Sequence, residues 1–77
     1  SPLRRVQNVE EIQVGTHGLY IRKGQRSGLL LPQVAPEQGW DRDAFLAGLC
    51  RKAGLPEDAW RAGDAALYSF TAQVFGD

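Results

Sequence analysis

The sequence contains no methionine, one cysteine (Cys50) and one histidine (His17). A single cysteine excludes an internal disulfide, and with one histidine it cannot fill the four positions of a structural zinc site. A scaffold of 77 residues thus lacks two of the usual reinforcements of small domains. A lone free thiol fits a reducing compartment better than a secreted one, so a cytoplasmic location is expected. An excess of either charge is missing too, since nine Lys and Arg balance nine Asp and Glu. Proteins that neutralise many phosphates normally carry a cationic surplus, so any nucleic-acid binding is expected to be weak. No apolar run, whether residues 28–31 before Pro32 or residues 44–50, is long enough to cross a bilayer. No charged start precedes an apolar stretch near Ser1, so neither a signal peptide nor a membrane partner is expected. No repeat or low-complexity tract appears.

What is present reads as a small α+β unit. Leu3 to Val6 forms a short strand, and Asn8 caps a helical turn through Glu11. Leu19, Tyr20 and Ile21 make a second strand, and Leu29, Leu30 and Leu31 a third. Between them, residues 23–27 hold Gly24 in a turn of hairpin length. Val34 to Trp40, with Pro36 and Gly39, reads as a loop. Asp41 caps a helix from Arg42 to Ala53, in which Phe45, Leu46, Leu49, Cys50 and Ala53 share one stripe. Gly54 stops it in the left-handed conformation. Pro56, with Glu57 and Asp58 behind it, opens a second short helix anchored by Trp60. Period-two spacing from Ala66 to Phe75 then gives a long last strand. The order predicts an antiparallel or mixed sheet with two short helices between hairpin and last strand. Leu29 to Leu31, Leu67 and Phe75 add apolar side chains to both faces of that sheet, so part of this surface should be left uncovered.

Candidate site residues each have two readings. His17, between Gly15 and Gly18, is an acid–base or ligand group, or a turn residue whose imidazole bonds the backbone. Arg22, Lys23 and Arg26, with Tyr20 nearby, either grip a phosphate or single strand or keep a hairpin tip soluble. Arg4 and Arg5 extend that patch or flank an edge strand. Cys50 beside Arg51 and Lys52 is a reactive thiol only if it leaves the apolar stripe, which favours a buried, inert group. Gly54-Leu55-Pro56 looks like a phosphate-binding helix start, but Glu57 and Asp58 would repel an anion there. Trp40 and Trp60 are platform or core residues. No catalytic residue, metal ligand set or cofactor loop can be assembled from these positions, so whether the parent protein is an enzyme stays open.

Six stretches in order carry a family likeness: SPLRRV from Ser1, VGTHGLYI from Val14, GLLLPQVA from Gly28, GWDRDAFL from Gly39, CRKAGLPEDAW from Cys50 and FTAQVF from Phe70. Together they resemble the AMMECR family over nearly the whole chain. The resemblance implies a mixed domain whose larger sheet combines N- and C-terminal segments, of which residues 1–77 are the C-terminal part. It further implies an upstream Leu-Arg-Gly-Cys-Ile-Gly motif, which this sequence lacks; Cys50, between Leu49 and Arg51, is not its cysteine. Prokaryotic members of that family are fused to or encoded beside Memo-type and radical S-adenosylmethionine proteins. The implied partners are these proteins and the missing N-terminal segment. The functions left open are a binding or accessory domain of a modification system, an enzyme using the upstream cysteine, and a protein-interaction scaffold.

Overall fold

A computed structural model describes residues 3–71. Its sheet is antiparallel throughout, built from β1 (Arg4–Arg5), β2 (His17–Lys23), β3 (Arg26–Leu30) and β4 (Ala66–Thr71) in the order β1-β4-β2-β3. Two α-helices, α1 (Val34–Gln38) and α2 (Arg42–Lys52), lie between hairpin and last strand in sequence. This is the α+β architecture that the pattern of elements predicts. The continuation of β4 expected through Val74 and Phe75 falls outside the described residues.

Local chemistry sets each boundary. Asn8 Oδ1 accepts from the Glu10 N–H at 3.0 Å and starts the 3-10 turn Val9–Glu11. The hairpin is tighter than the sequence suggests, because Lys23 pairs with Arg26 and only Gly24 and Gln25 are left to turn. Gly24, at φ 61°, supplies the positive φ that a two-residue II′ connection needs at its first position. Asp41 Oδ1 accepts from the Ala44 N–H at 2.9 Å and caps α2. At the other end Gly54 (φ 75°) donates to the Arg51 carbonyl and Leu55 to the Cys50 carbonyl. That pair of bonds is a Schellman closure.

Two elements differ from the sequence reading. Residues 34–40 are not a plain loop, since Val34–Gln38 is a helical turn and a half. Pro36 is tolerated because it sits in the first turn, where its missing N–H would have had no partner. Gly39 (φ 70°) closes α1 as Gly54 closes α2, with Trp40 donating to the Ala35 carbonyl at 2.9 Å. Conversely, no α-helix grows from Pro56. Its carbonyl accepts from Ala59, and one 3-10 turn, Ala59–Arg61, ends at Ala62 with no side-chain cap from Asp58.

The core is the contact between α2 and one face of the sheet. Phe45, Leu46, Leu49 and Cys50 are completely buried on the helix, as are Leu19 and Ile21 on β2, with Leu30 and Leu67 nearly so. Gly28 lets the helix end come close, for a Cβ there would stand 2.8 Å from the Ala53 nitrogen. Of β4, the mixed face turns inward: Leu67 and Ser69 are buried, while Ala66, Tyr68 and Phe70 are only half-buried. Leu29 and Leu31 are more than 40% exposed, at 43% and 44%, whereas Leu30 is buried. The apolar surface expected to lie open is therefore at Leu29 and Leu31, and not at Leu30 or Leu67.

Leu49→Ala should lower stability by ~2–5 kcal/mol, the range for large buried truncations. Gly28→Ala should cost about 1–3 kcal/mol by overpacking against the Ala53 backbone. Urea denaturation of both variants checks the helix–sheet contact. Unchanged midpoints would show that the helix does not pack there.

Candidate functional site

Alternation along the strands sorts the candidate residues by face. Leu19 and Ile21 point to the helix, so Tyr20 and Arg22 point away from it. The registers Arg5↔Tyr68, Tyr68↔Tyr20 and Tyr20↔Leu29 place one residue from each strand in a single outward row. The Tyr20 and Tyr68 rings lie 5.8 Å apart and tilted by 45°, a favourable aromatic spacing. The Arg5 guanidinium stands 5.7 Å from the Tyr68 ring centroid, within cation–π reach. Phe70, in the next outward position of β4, faces Gly18. A Cβ on Gly18 would fall 2.3 Å from the Phe70 ring. The glycine is thus the space in which that ring lies against the sheet.

The sequence-predicted residues do not form one site. His17 opens β2 and Lys23 closes it, which separates them by roughly 20 Å at ~3.3 Å per residue. His17 Nδ1 accepts from the Gln13 N–H at 3.0 Å, while the His17 N–H donates to the Gln13 carbonyl at 2.9 Å. The imidazole therefore closes a turn. Arg22, Lys23 and Arg26 do share the hairpin tip, but they diverge. Lys23 Nζ reaches Asp64 at 3.4 Å. The Arg26 guanidinium lies over Gly54, 2.8 Å from where a Cβ would be, at the carbonyl end of α2 where a cation is favoured. Arg22 alone faces outward with the aromatic row, its Nε only 3.5 Å from the Gly24 carbonyl.

The other candidates take structural places. Cys50 is fully buried on α2. Burial pushes its thiol pKa up, outweighing the Trp60 and Ala59 backbone groups that pull it down, and the Asp58 and Glu57 charges add to the rise. Trp40 packs over Gly48, where a Cβ would meet the ring at 2.5 Å, and carries Arg51 on its face at 5.6 Å. Arg51 also binds Glu57 at 2.9 Å. Trp60 packs against the core beneath Arg61. No helix among the described residues is long and apolar enough to cross a membrane.

The outward row is not evident from the sequence, although Tyr20 stands beside the hairpin cations. Each of its residues was visible, but the row exists only through long-range register. The usable signal was the alternation in β4, whose more aromatic side turns away from the helix.

The AMMECR1 family profile matches residues 1–75. A protein of Methanopyrus kandleri is 57% identical over 67 residues, which cover 87% of this chain and 32% of that protein. One of Pyrococcus furiosus is 54% identical, covering 86% and 31%. The crystal structure of the uncharacterized protein PH0010 from Pyrococcus horikoshii superposes with a TM-score of 0.89 at 46% identity, covering 92% of this chain and 37% of that one. The chain spans about a third of the length of the curated relatives it matches.

In the native protein Cys50 should resist a thiol-specific disulfide reagent at pH 8 and react within the mixing time once unfolded in urea. The folded chain holds the thiol proton more tightly than the unfolded one. This contribution to stability is complete below the ordinary thiol pKa, about 8.5, and is lost as pH rises through the higher folded value. Rapid native labelling would contradict the burial.

Proposed function

Since the chain belongs to the AMMECR1 family, we propose that it is a cytoplasmic binding or accessory domain of a modification system, holding a ligand on which Memo-type and radical S-adenosylmethionine proteins act. One observation carries this reading: among the described residues the sheet buries one face, and its other face presents an ordered row of Arg5, Tyr68, Tyr20 and Leu29. Aromatic rings fixed by strand register lose little conformational freedom on contact, which suits recognition. The one thiol is inert by burial and the one imidazole closes a turn. Cysteine chemistry, in a full-length protein that has it, therefore belongs to an upstream motif. In the same reading, the upstream segment extends the sheet at β3, which is an edge strand among the described residues.

Mixing the protein with purified Memo-type and radical S-adenosylmethionine partners, followed by native mass spectrometry and a turnover assay, tests this. The expected result is a complex whose product formation rises when the protein is added, with no turnover by the protein alone. Turnover without partners would make it an enzyme. A complex formed without any effect on turnover would leave it a scaffold.

A further inference from the structure

Net neutrality conceals a strong segregation of charge. The four strands carry Arg4, Arg5, Arg22, Lys23 and Arg26 and not one carboxylate. Every acidic residue among those described lies in a helix, a turn or a connecting segment. The cations on the outward face, Arg5 and Arg22, have no ion-pair partner among the described residues. Lys23 and Arg51, by contrast, are paired with Asp64 and Glu57.

Between these two cations stand the rings of Tyr68 and Tyr20, and the Phe70 ring lies on the side of Tyr68 away from Arg22. Tyr68 and Tyr20 are neighbours across β4 and β2, and Phe70 lies two residues beyond Tyr68 along β4, over Gly18. Two residues of strand are roughly 7 Å, so the rings offer adjacent surfaces at a corner, Tyr20 to Tyr68 across the strands and Tyr68 to Phe70 along β4. The arrangement is a plate and not a cleft, whereas sites for small molecules are concave and enclose most of their ligand. A plate of rings edged by arginines matches a polymer that has a flat group and a negative charge in every unit.

We infer that the outward face formed by Arg5, Tyr20, Tyr68, Phe70 and Arg22 binds single-stranded nucleic acid, its bases stacking on the rings and its phosphates meeting the two arginines. This rests on the binding-domain reading above and names the ligand class of that face. Stacking on aromatics of an antiparallel sheet, with helices on the opposite side, suits unpaired bases whose faces are free. A duplex hides those faces. With two unpaired arginines supplying the charge, affinity is modest and its dependence on salt shallow. The slope of log K against log salt is about −1.4, from ~0.7 per phosphate contact on a single strand.

The test is fluorescence anisotropy of labelled ten-nucleotide oligouridylate and oligothymidylate, and of a duplex of matching length, with the intact protein at low and moderate salt. Saturable binding of a single strand and at least tenfold weaker binding of the duplex are expected. Tyr20→Ala and Tyr68→Ala should each weaken binding about 5- to 100-fold, the loss of one stacked base, while Tyr68→Phe keeps it. Lys52→Ala, on the helical side, should leave it unchanged. Circular dichroism confirms that each variant is folded. Preference for uridylate or thymidylate shows whether the strand is RNA or DNA. The inference is overturned if no strand binds saturably at low salt. Equal binding of the duplex, or full binding by a folded Tyr20→Ala/Tyr68→Ala variant, overturns it as well. Complex formation with the partner proteins in the absence of strand binding would sink this inference alone and leave the binding-domain reading standing.

Discussion

Everything in this fold depends on one helix covering one face of one sheet. α2 brings Phe45, Leu46, Leu49 and Cys50 onto Leu19, Ile21, Leu30 and Leu67. Burying such side chains is worth ~1.5–3 kcal/mol each relative to leaving them in water. No other element among the described residues offers a comparable apolar stripe. α1 contributes Ala35, and the 3-10 turn Ala59–Arg61 contributes Ala59. Among the described residues this helix covers one face of the sheet, and alternation assigns each strand residue to that face or to the other.

That assignment explains the distribution of side-chain size. The helix end comes so close to β3 that the inward position opposite Ala53 is a glycine, Gly28, and Ser69 is a second small residue on the inward side. The large rings of Tyr20, Tyr68 and Phe70 stand on the other side. Stability and surface chemistry thus divide between the two faces of the same strands. Arg26 serves the same contact by lying over the last turn of α2, so the hairpin cations divide between holding the fold and facing solvent.

Much of the fold was legible because its boundaries are local. Asn8, Gly24, Asp41 and Gly54 each act within a few residues, and the structure places each in the role its chemistry suggests. Where local cues conflict, reading failed. Pro36 and Gly39 suggested a loop, but a proline in the first turn and a glycine at the end are also the outline of a very short helix. Pro56 with two acidic residues suggested a helix, but too few residues follow before Ala62 ends the turn. The site was less legible. His17 and the hairpin cations could be picked out singly, yet their separation along β2 and the divergence of the cations depend on strand length and tertiary neighbours. The aromatic row depends on pairing between residues far apart in sequence, which periodicity within one strand does not encode.

The strand order has a consequence for the sequence of folding events. β4 comes last of the strands in the chain but sits inside the sheet, between β1 and β2. The hairpin and α2 involve near neighbours, so their contacts form at little loop-closure cost. β1 instead meets Ser69 and Tyr68, more than sixty residues away in sequence, and among the described strands it pairs with β4 alone. Among the described strand pairings, the docking of β4 therefore carries the largest loop-closure cost, and it completes the sheet and the aromatic row together. Before it, a nascent chain carries a finished helix–hairpin core with an unpaired β2 edge, the species in this pathway most open to mispairing with another copy.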